Sequence, residues 1–353
     1  MPTTDKPLLL LLFGGPSAEH DVSCMSARQV QRAVDRSRFD LRLIGITKEG
    51  LWLTGEQAER LLHGEAPESQ ASASRPTTVL GGIADQDRTV VAFPLLHGPF
   101  GEDGTIQGLF ETLSIPYVGT GVLGSAVCMD KAVAKAVAAS RGISQPRYVV
   151  VQSKSDGTCH LPPGTDALGW PRFVKPSNQG SSIGISRVSR IAEQPTAIEH
   201  AASLSPTVII EAAIAGREIE CAVLGNGPYQ VACPGEVICG DGGFYDTPSK
   251  YPDGEEAARK VTITPTADLA TDLELQIRAF ATRVAEVYRV RGLARVDLFL
   301  TPTGELLLNE VNTMPGFTAS SMYPMMWQAS GLDYQSLISR LLELAIDVDA
   351  RRA

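Results

Sequence analysis

Apolar and polar residues come in alternating blocks through the first hundred positions of the chain. A wholly apolar run at 8–13 is followed by a glycine pair and a helical pattern that continues to Val34. Further apolar runs occupy 41–47 and 90–95. Apolar strands that alternate with helices are typical of a parallel α/β sheet. The stretch 64–78, rich in Ala, Ser and Pro, is predicted to be a loose surface loop.

The pattern changes near Gly119. One helix is predicted over 125–140, with Gly142 as its stop signal. Short apolar runs then predict hairpin-like strands at 148–152, 172–175, 183–188, 208–213 and 218–224. The next stretch, 239–256, is polar and glycine-rich and too long for a simple connector, so it is a candidate lid.

The clearest helical periodicity runs from about Ala267 to Val290, with apolar residues on one face. Two strands follow it, LARVDLFL at 293–300 and ELLLNEVN at 305–312. With 353 residues the chain exceeds one ordinary core, so two or three domains are expected.

Composition and charge exclude several classes of protein. The residues are 43% hydrophobic and 20% charged, as in a water-soluble globular protein. A net charge of −9 without any basic run argues against a nucleic-acid partner. The apolar part of KPLLLLLF at 6–13 is too short to span a bilayer, so no membrane partner is predicted. The six cysteines lack metal-site spacing and indicate reduced thiols in a cytoplasmic protein.

The last two strands carry the most informative polar side chains. If they form a hairpin, Leu300 lies opposite Glu305 and Arg295 lies opposite Glu310. Because side chains alternate along a strand, one face then collects Arg295, Asp297, Glu310 and Asn312. Such a group among leucines is costly unless a cation or charged ligand completes it. Its oxygen donors suit Mg²⁺, and a buried salt bridge within the group is the alternative.

A glycine- and serine-rich loop lies in FVKPSNQGSSIGIS at 173–186. Residues without bulky side chains let several backbone N–H groups approach one anion, and Lys175 adds a positive charge beside them. The Gly-x-x-x-x-Gly-Lys-Ser/Thr pattern is absent. Both flanks are predicted strands, so we expect a β-hairpin loop, whereas Walker and Rossmann loops lead into a helix.

Three other turns carry candidate chemistry. GGPSAEHDVS at 14–23 and HGPFGEDGTIQG at 97–108 each follow a predicted strand, where open α/β sheets bind ligands. In the first turn, Glu19 is either a ligand-binding acid or a helix-capping charge. NTMPGFTASS at 312–321 is either an oxyanion-binding turn or an ordinary turn that enters a helix.

Together these segments resemble the ATP-grasp ligases. The resemblance lies in KPSNQGSSIG, IIEAAI, REIECAVLG, RVDLFL and NEVNTMPG, in that order. GGPSAEHDVS, HGPFGEDGTIQG, YVGTGVLGSAVCMDK and NTMPGFTASSMYP are more narrowly similar to the D-alanine:D-alanine ligase family. The similarity covers nearly the whole chain and is specific because of the combination of motifs.

The resemblance implies three domains. An N-terminal α/β domain with a Rossmann-like parallel sheet would span 1–121, and a central ATP-grasp lobe with the glycine/serine loop would span 122–213. A C-terminal ATP-grasp lobe over 214–353 would carry the lid and the metal-binding hairpin.

The resemblance also implies roles for nucleotide and metal ligands. ATP would be contacted on its phosphates by Lys131 and Lys175 and on its adenine and ribose by Glu211 and Glu218. The further ATP-binding residues would be Ser182, Lys250 and Asn309. Two Mg²⁺ ions, or Mn²⁺ in their place, would be held by Asp297, Glu310 and Asn312.

For the amino-acid substrates, the resemblance implies a second set of residues. Glu19 would meet the amino group of the first substrate and would be linked through Ser181 to Tyr251 of the lid. His97 would lie near the first substrate, and Ser321 and Met322 near the second. Arg295 and the backbone N–H of Gly316 would stabilise the oxyanion.

The activity implied is ATP-dependent joining of two D-alanine molecules through an acyl phosphate, for peptidoglycan precursors, in a cytoplasmic homodimer. D-serine or D-lactate as acceptor is one alternative, although Tyr251 at the end of the predicted lid favours D-alanine. A nucleotide-binding regulator without catalysis is the alternative from another class, and the complete set of charged residues on the last hairpin argues against it.

Overall fold

The computed structural model describes residues 6–65, 75–84, 88–153, 159–239 and 261–350. Within these ranges the chain is mixed α/β with three sheets, as the sequence predicts. The sheets follow one another along the chain, within 8–95, 148–212 and 217–312. The exact domain boundaries stay a prediction.

The first sheet has the strand order β3-β2-β1-β4. Its strands are β1 (Leu8–Gly14), β2 (Asp40–Ile46), β3 (Trp52–Thr54) and β4 (Val90–Leu95). The helices of this segment are α1 (His20–Ala33), α2 (Gly55–Leu62), α3 (Pro76–Ala84) and α4 (Thr105–Thr112). Strand β1 pairs in parallel with β2 and β4, whereas β3 is an antiparallel edge. The parallel core confirms the prediction.

The leucine run of β1 is buried on both faces of this sheet. Leu9 and Leu11 belong to a core cluster that includes residues of α1, and Leu10 and Leu12 belong to a second cluster with α4. Alternate side chains of a strand point to opposite faces, so helices on both sides require an unbroken apolar strand.

The second sheet has the order β5-β8-β6-β7, and its neighbouring strands are antiparallel. Its strands are β5 (Tyr148–Gln152), β6 (Arg172–Pro176), β7 (Ser186–Val188) and β8 (Thr207–Ala212). Its helices are α5 (Val122–Met129), α6 (Lys131–Ser140) and α7 (Gln194–Leu204), with short 3₁₀ turns at Thr165–Leu168 and Ile191–Glu193. Strands β6 and β7 flank the glycine/serine loop, so the predicted hairpin is confirmed, although β7 begins later than expected.

The single helix predicted over 125–140 is wrong, because Asp130 divides it. The backbone of Asp130 is extended, with ψ of 102°, and its carboxylate accepts hydrogen bonds from the N–H groups of Ala132 and Val133. An aspartate that caps its own chain in this way starts a new helix. Lys131 therefore lies at the N-terminus of α6 rather than inside a longer helix.

The third sheet has the order β12-β11-β9-β13-β14, with β10 paired to β9. Its strands are β9 (Arg217–Leu224), β10 (Gln230–Val231), β11 (Gly235–Cys239), β12 (Val261–Thr264), β13 (Leu293–Leu300) and β14 (Leu306–Asn312). The remaining helices are α8 (Thr271–Val287), α9 (Met322–Ala329) and α10 (Tyr334–Ala350). Helix α8 packs its apolar face on this sheet, as its periodicity predicts.

The predicted register of the last hairpin is wrong, although the hairpin itself is present. Arg295 lies opposite Asn312 rather than Glu310, and Asp297 lies opposite Glu310. The ladder shifts by one residue between Asp297 and Leu298, which is a β-bulge. At the charged end, the observed pairing differs from the predicted pairing by two residues. Because side chains alternate with a period of two along a strand, all four polar side chains still share one face.

Helix α10 joins the C-terminal part of the chain to the first sheet. Its Leu337 and Leu341 are fully buried in the cluster that contains Leu9 and Phe93. This packing was not predicted, because the apolar periodicity of a helix does not show which sheet it covers. None of the helices in the described ranges has the length and apolar character that crossing a bilayer needs.

Two predicted loops have different outcomes. The loop predicted over 64–78 is wrong at its end, because α3 already begins at Pro76. The lid predicted over 239–256 lies outside the described residues except for Cys239 in β11. Among the described side chains, Cys24, Cys128, Cys159, Cys221 and Cys233 are free cysteines, and their redox state stays a prediction.

Candidate active site

Two adjoining cavities lie between the second and third sheets and beside the first. The larger one, here called the cleft, has a volume of about 780 Å³ and is bordered by Lys175, Glu211 and Glu218. The smaller one, here called the inner pocket, has a volume of about 260 Å³ and is bordered by Glu19 and His97. Three side chains line both cavities, namely Glu220, Arg295 and Glu310.

Arg295 stands at this junction in a network of charges. Its Nε and Nη2 each lie 2.7 Å from a carboxylate oxygen of Asp297, and its Nε lies 3.2 Å from Glu220 Oε2. Asn312 Nδ2 donates to Asp297 Oδ2 at 2.9 Å. Burial lowers the pKa of Arg295, but Asp297 and Glu220 outweigh it and raise this pKa well above its usual value. Arg295 is therefore a permanent, partly buried cation.

Glu220 is a residue that sequence reasoning missed. It is 2% exposed on β9, where it lies directly opposite Asp297. The available signal was an acidic residue inside the otherwise apolar run IECAVL, which is costly to bury without a partner. Its partner could not be named, because the β9–β13 pairing joins segments far apart in the chain.

The same hairpin offers a set of hard oxygen donors. The carboxylates of Asp297 and Glu310 and the side-chain amide of Asn312 share one face of the sheet. Carboxylate and amide oxygens are the ligands that Mg²⁺ prefers, so the donor chemistry fits this ion. Within the described ranges, no group of three His, Cys, Asp or Glu side chains is arranged to hold a metal.

Lysines line the side of the cleft that faces the second sheet. Lys175 Nζ lies 2.5 Å from Glu211 Oε2, and Lys135 forms an ion pair with Glu211 Oε1. Lys131 Nζ donates to the carbonyl of Gln179 at 2.8 Å and lies 3.3 Å from Glu310 Oε2. Burial raises the pKa of Glu211, but the two lysines outweigh it, and the net shift is downward. Sequence reasoning missed Lys135.

The glycine/serine loop connects the cleft to the inner pocket. Ser181 and Ser182 have φ of 48° and 60°, a left-handed backbone that is uncommon outside glycine. Ser181 Oγ donates a hydrogen bond to Glu19 Oε1 at the start of α1. Ser182 lines the cleft while Ser181 lines the inner pocket. The loop therefore contributes one of these neighbouring serines to each cavity.

Glu102 is a second carboxylate in the inner pocket. Its Oε1 accepts a hydrogen bond from the N–H of Gly98 at 2.9 Å, and Glu19 Oε2 lies beside the same glycine. Gly98 has φ of 72° and little room for a side chain between these groups. Burial, followed by the charge of Glu19, raises the pKa of Glu102 to about 8.

The far end of the inner pocket is built by the turn after β14. His97 is 5% exposed, and its Nδ1 lies 3.1 Å from the carbonyl of Met314. A Cβ at Gly316 would lie 3.1 Å from Ser321 Oγ, so the backbone of Gly316 comes close to that hydroxyl. Ser321 Oγ accepts a hydrogen bond from the N–H of Thr318 at 3.1 Å.

Two family models cover most of the chain. The model described as D-ala D-ala ligase N-terminus matches residues 9–120, and the one described as D-ala D-ala ligase C-terminus matches residues 137–343. The chain belongs to the D-alanine–D-alanine ligase family. The sequence-based resemblance is thereby confirmed.

Individual relatives and solved structures agree with this family. A D-alanine–D-alanine ligase of Shouchella clausii is 45% identical over 350 residues, which is 96% of this chain and 94% of the relative. The D-alanine-D-alanine ligase structure from Coxiella burnetii has a TM-score of 0.82 at 33% identity and covers 99% of this chain and 96% of its own. The VanG D-Ala:D-Ser ligase structure from Enterococcus faecalis has a TM-score of 0.81 at 35% identity, with 97% and 100% coverage. The fold is the ATP-grasp fold of this family.

The structure brings most residues implied by the family resemblance to the two cavities. The inner pocket is lined by Glu19, His97, Ser181, Asn312, Gly316, Ser321 and Met322, in addition to Arg295 and Glu310. The cleft is lined by Lys131, Lys175, Ser182, Glu211, Glu218, Asp297 and Asn309. Lys250 and Tyr251 lie outside the described residues. The individual roles of all these residues stay predictions.

The raised pKa of Glu102 predicts a pH dependence of stability in this ligase. With a folded pKa of about 8 against an ordinary 4.5, the folded state holds the proton more tightly than the unfolded chain between these values. The contribution of Glu102 to stability is therefore full below this window and is lost as the pH rises through it. The variant Glu102→Gln cannot ionise, so its thermal midpoint should fall less than that of the wild type between pH 5 and pH 9.

The exposed Glu56 provides the matched control. Glu56→Gln should follow the wild-type midpoint at every pH. Parallel curves for the wild type and Glu102→Gln across the same range would contradict the shifted pKa.

Proposed function

We propose that this chain joins two D-alanine molecules to D-alanyl-D-alanine at the expense of ATP, forming ADP and phosphate through an acyl phosphate. The observation that carries the proposal is the partly buried Arg295, which lines both the cleft and the inner pocket. An anionic phosphoryl donor in one cavity and a carboxylate in the other would meet beside one fixed cation. This arrangement lowers the repulsion between two negatively charged reactants.

The cleft is suited to ATP. Lys131 and Lys175 would neutralise phosphate oxygens, with Ser182 and Asn309 at the wall of the same cavity. Glu211 would accept a hydrogen bond from the adenine amino group, and Glu218 would bind the ribose. Lys250, which lies outside the described residues, is proposed to join the phosphate contacts.

The inner pocket is suited to the first D-alanine. Glu19 would bind the substrate ammonium, and its bond from Ser181 fixes the orientation of the carboxylate. His97 lies on the same pocket wall and would contact this substrate. We propose that Tyr251 extends the link from Ser181 when the lid covers the site and excludes water, because an acyl phosphate hydrolyses when exposed.

The second D-alanine would enter from the turn after β14. Ser321 would bind its carboxylate, with Met322 beside it in the pocket wall. The amine then attacks the acyl carbon, the new C–N bond forms and the bond to the phosphate oxygen breaks. Arg295 and the N–H of Gly316 would stabilise the oxyanion of this step.

Asp297, Glu310 and Asn312 on the last hairpin would hold Mg²⁺. The family resemblance implies two such ions, and the same oxygen donors would also bind Mn²⁺. When bound, such ions neutralise charge on the phosphates. The same resemblance supports a role in peptidoglycan precursor synthesis, a cytoplasmic location and a homodimer, and domain boundaries after residues 121 and 213.

One second candidate has a specific observation in its favour. The VanG structure, described as a D-Ala:D-Ser ligase, matches 97% of this chain at 35% identity. The acceptor could therefore be D-serine, or D-lactate in a further variant of the same reaction. A nucleotide-binding regulator of the same fold is the remaining alternative.

The direct test measures phosphate release from ATP and Mg²⁺ with D-alanine alone and then with D-alanine plus D-serine or D-lactate. We expect phosphate and D-alanyl-D-alanine with D-alanine alone, and no preference for either other acceptor at neutral pH. Preference for D-serine or D-lactate would favour the second candidate. Binding of ATP without phosphate release from any D-amino acid would favour the regulator.

A single substitution tests the role of the hairpin donors. Glu310→Gln removes a negative charge from the junction of the two cavities while it preserves side-chain size. We expect phosphate release to fall roughly a hundredfold or more, with the thermal midpoint close to wild type. Glu305→Gln makes the same change at an exposed position before β14 and should retain wild-type activity. Equal activities of the two variants would contradict the role of Glu310.

A further inference from the structure

Glu211 is held by two buried lysines, one at each carboxylate oxygen. Oε2 lies 2.5 Å from Lys175 Nζ, and Oε1 forms the ion pair with Lys135. Glu211 is 2% exposed and Lys135 is 4% exposed. Glu211 and Lys175 line the cleft, whereas Lys135 is not among its lining residues.

The fold places Lys135 in a setting that a solvated lysine would avoid. It lies one turn after Lys131 on α6, whose start is fixed by the Asp130 cap. Its Nζ is 5.3 Å from the centroid of the Tyr148 ring, and Tyr148 lies opposite Glu211 in the β5–β8 pairing. Burial lowers the pKa of Lys135, and Glu211 opposes that shift only in part. Because the desolvation of a lysine ammonium group is unfavourable, the burial of Lys135 indicates a specific role for its contact with Glu211.

The role follows from the fact that each carboxylate oxygen of Glu211 contacts a different lysine. A carboxylate that meets a single lysine can turn and present either oxygen or both to it. Because Lys135 holds Oε1, Oε2 is left at the cleft side, where it still has lone pairs beside its contact with Lys175. A carboxylate oxygen only accepts hydrogen bonds, so its natural partner in a purine is an exocyclic amino group.

We propose that Lys135 is a positioning residue that selects the nucleotide base: it fixes Glu211 through Oε1 so that Oε2 accepts a hydrogen bond from the amino group of adenine. The proposal rests on the proposed function, in which the cleft takes ATP. A purine with a carbonyl oxygen at the same ring position would meet the carboxylate with an acceptor instead of a donor. Such a site discriminates strongly, because a mismatched buried polar group is left unpaired.

The test compares the binding of ADP and IDP, which differ in that amino group, by isothermal titration calorimetry with Mg²⁺ present. Wild-type protein should bind ADP about tenfold or more tightly than IDP. Lys135→Met should weaken ADP binding about ten- to hundredfold and leave IDP binding nearly unchanged, so that the preference disappears. In turnover, the KM for ATP should rise while kcat stays within about threefold of wild type, because Lys135 does not touch the reacting atoms.

Two further variants separate positioning from structure. Lys135→Arg keeps the charge and should retain most of the preference for ADP. Lys48→Met removes a lysine of a largely exposed ion pair and should bind both nucleotides as the wild type does. If Lys135→Met does not fold, Lys135→Gln, which keeps a polar end without the charge, provides the same comparison.

A folded Lys135→Met protein that retains the wild-type ratio of ADP to IDP affinity would overturn the proposal. Equal weakening of both nucleotides would also overturn it, because a structural role predicts that result. The outcome is separate from that of the proposed function. Wild-type protein that prefers ADP but consumes no D-alanine would contradict the ligase reaction and leave the comparison of variants valid.

Discussion

The pairing of one partly buried guanidinium with two buried carboxylates is the constraint on which the rest of the site depends. Arg295 contacts Asp297 on its own strand and Glu220 on the neighbouring strand. Buried charges are tolerated only when they are paired and hydrogen-bonded, so β9, β13 and β14 must keep a register that brings these groups together. That register places the cation where the cleft and the inner pocket meet.

Each cavity has its own buried charge arrangement around this centre. At the cleft, the Glu211 carboxylate forms ion pairs with Lys135 and Lys175, and Lys131 and Lys175 line the cavity. The inner pocket has two neighbouring acidic side chains, and the charge of Glu19 contributes to the raised pKa of Glu102, so Glu19 is the carboxylate proposed to bind the substrate ammonium. In the proposed reaction, these side chains assign the nucleotide to the cleft and the amino acid to the inner pocket.

Sequence patterns predicted the charged face of the last hairpin even though they missed its register. From the pair Leu300 and Leu306, a regular ladder would place Arg295 opposite Val311 and would split the cluster between the two faces. The bulge at Asn309 restores the shared face. A bulge of this kind leaves no reliable mark in the strand pattern, so only its outcome, four polar residues at alternating positions, could be read in advance.

The predictions that failed depended on contacts between distant segments. Glu220 and Lys135 form ion pairs with residues on strands far away in the chain, and the packing of α10 on the first sheet also joins distant segments. The helix break at Asp130 was missed for a local reason. The continuous apolar pattern predicts one helix, whereas the Asp130 side chain accepts hydrogen bonds from the backbone and caps a second helix. Local patterns therefore gave the elements, and long-range charge pairing completed the site.

The proposed reaction requires the carboxylate of one D-alanine to receive the phosphoryl group before the amine of the second D-alanine attacks. Its most direct test uses D-alanine labelled with ¹⁸O in both carboxylate oxygens and mass spectrometry of the phosphate released from unlabelled ATP. An acyl phosphate predicts one labelled oxygen in each phosphate, because the bridging oxygen leaves with phosphorus when the C–N bond forms. Phosphate without label, released together with the dipeptide, would show that no acyl phosphate forms.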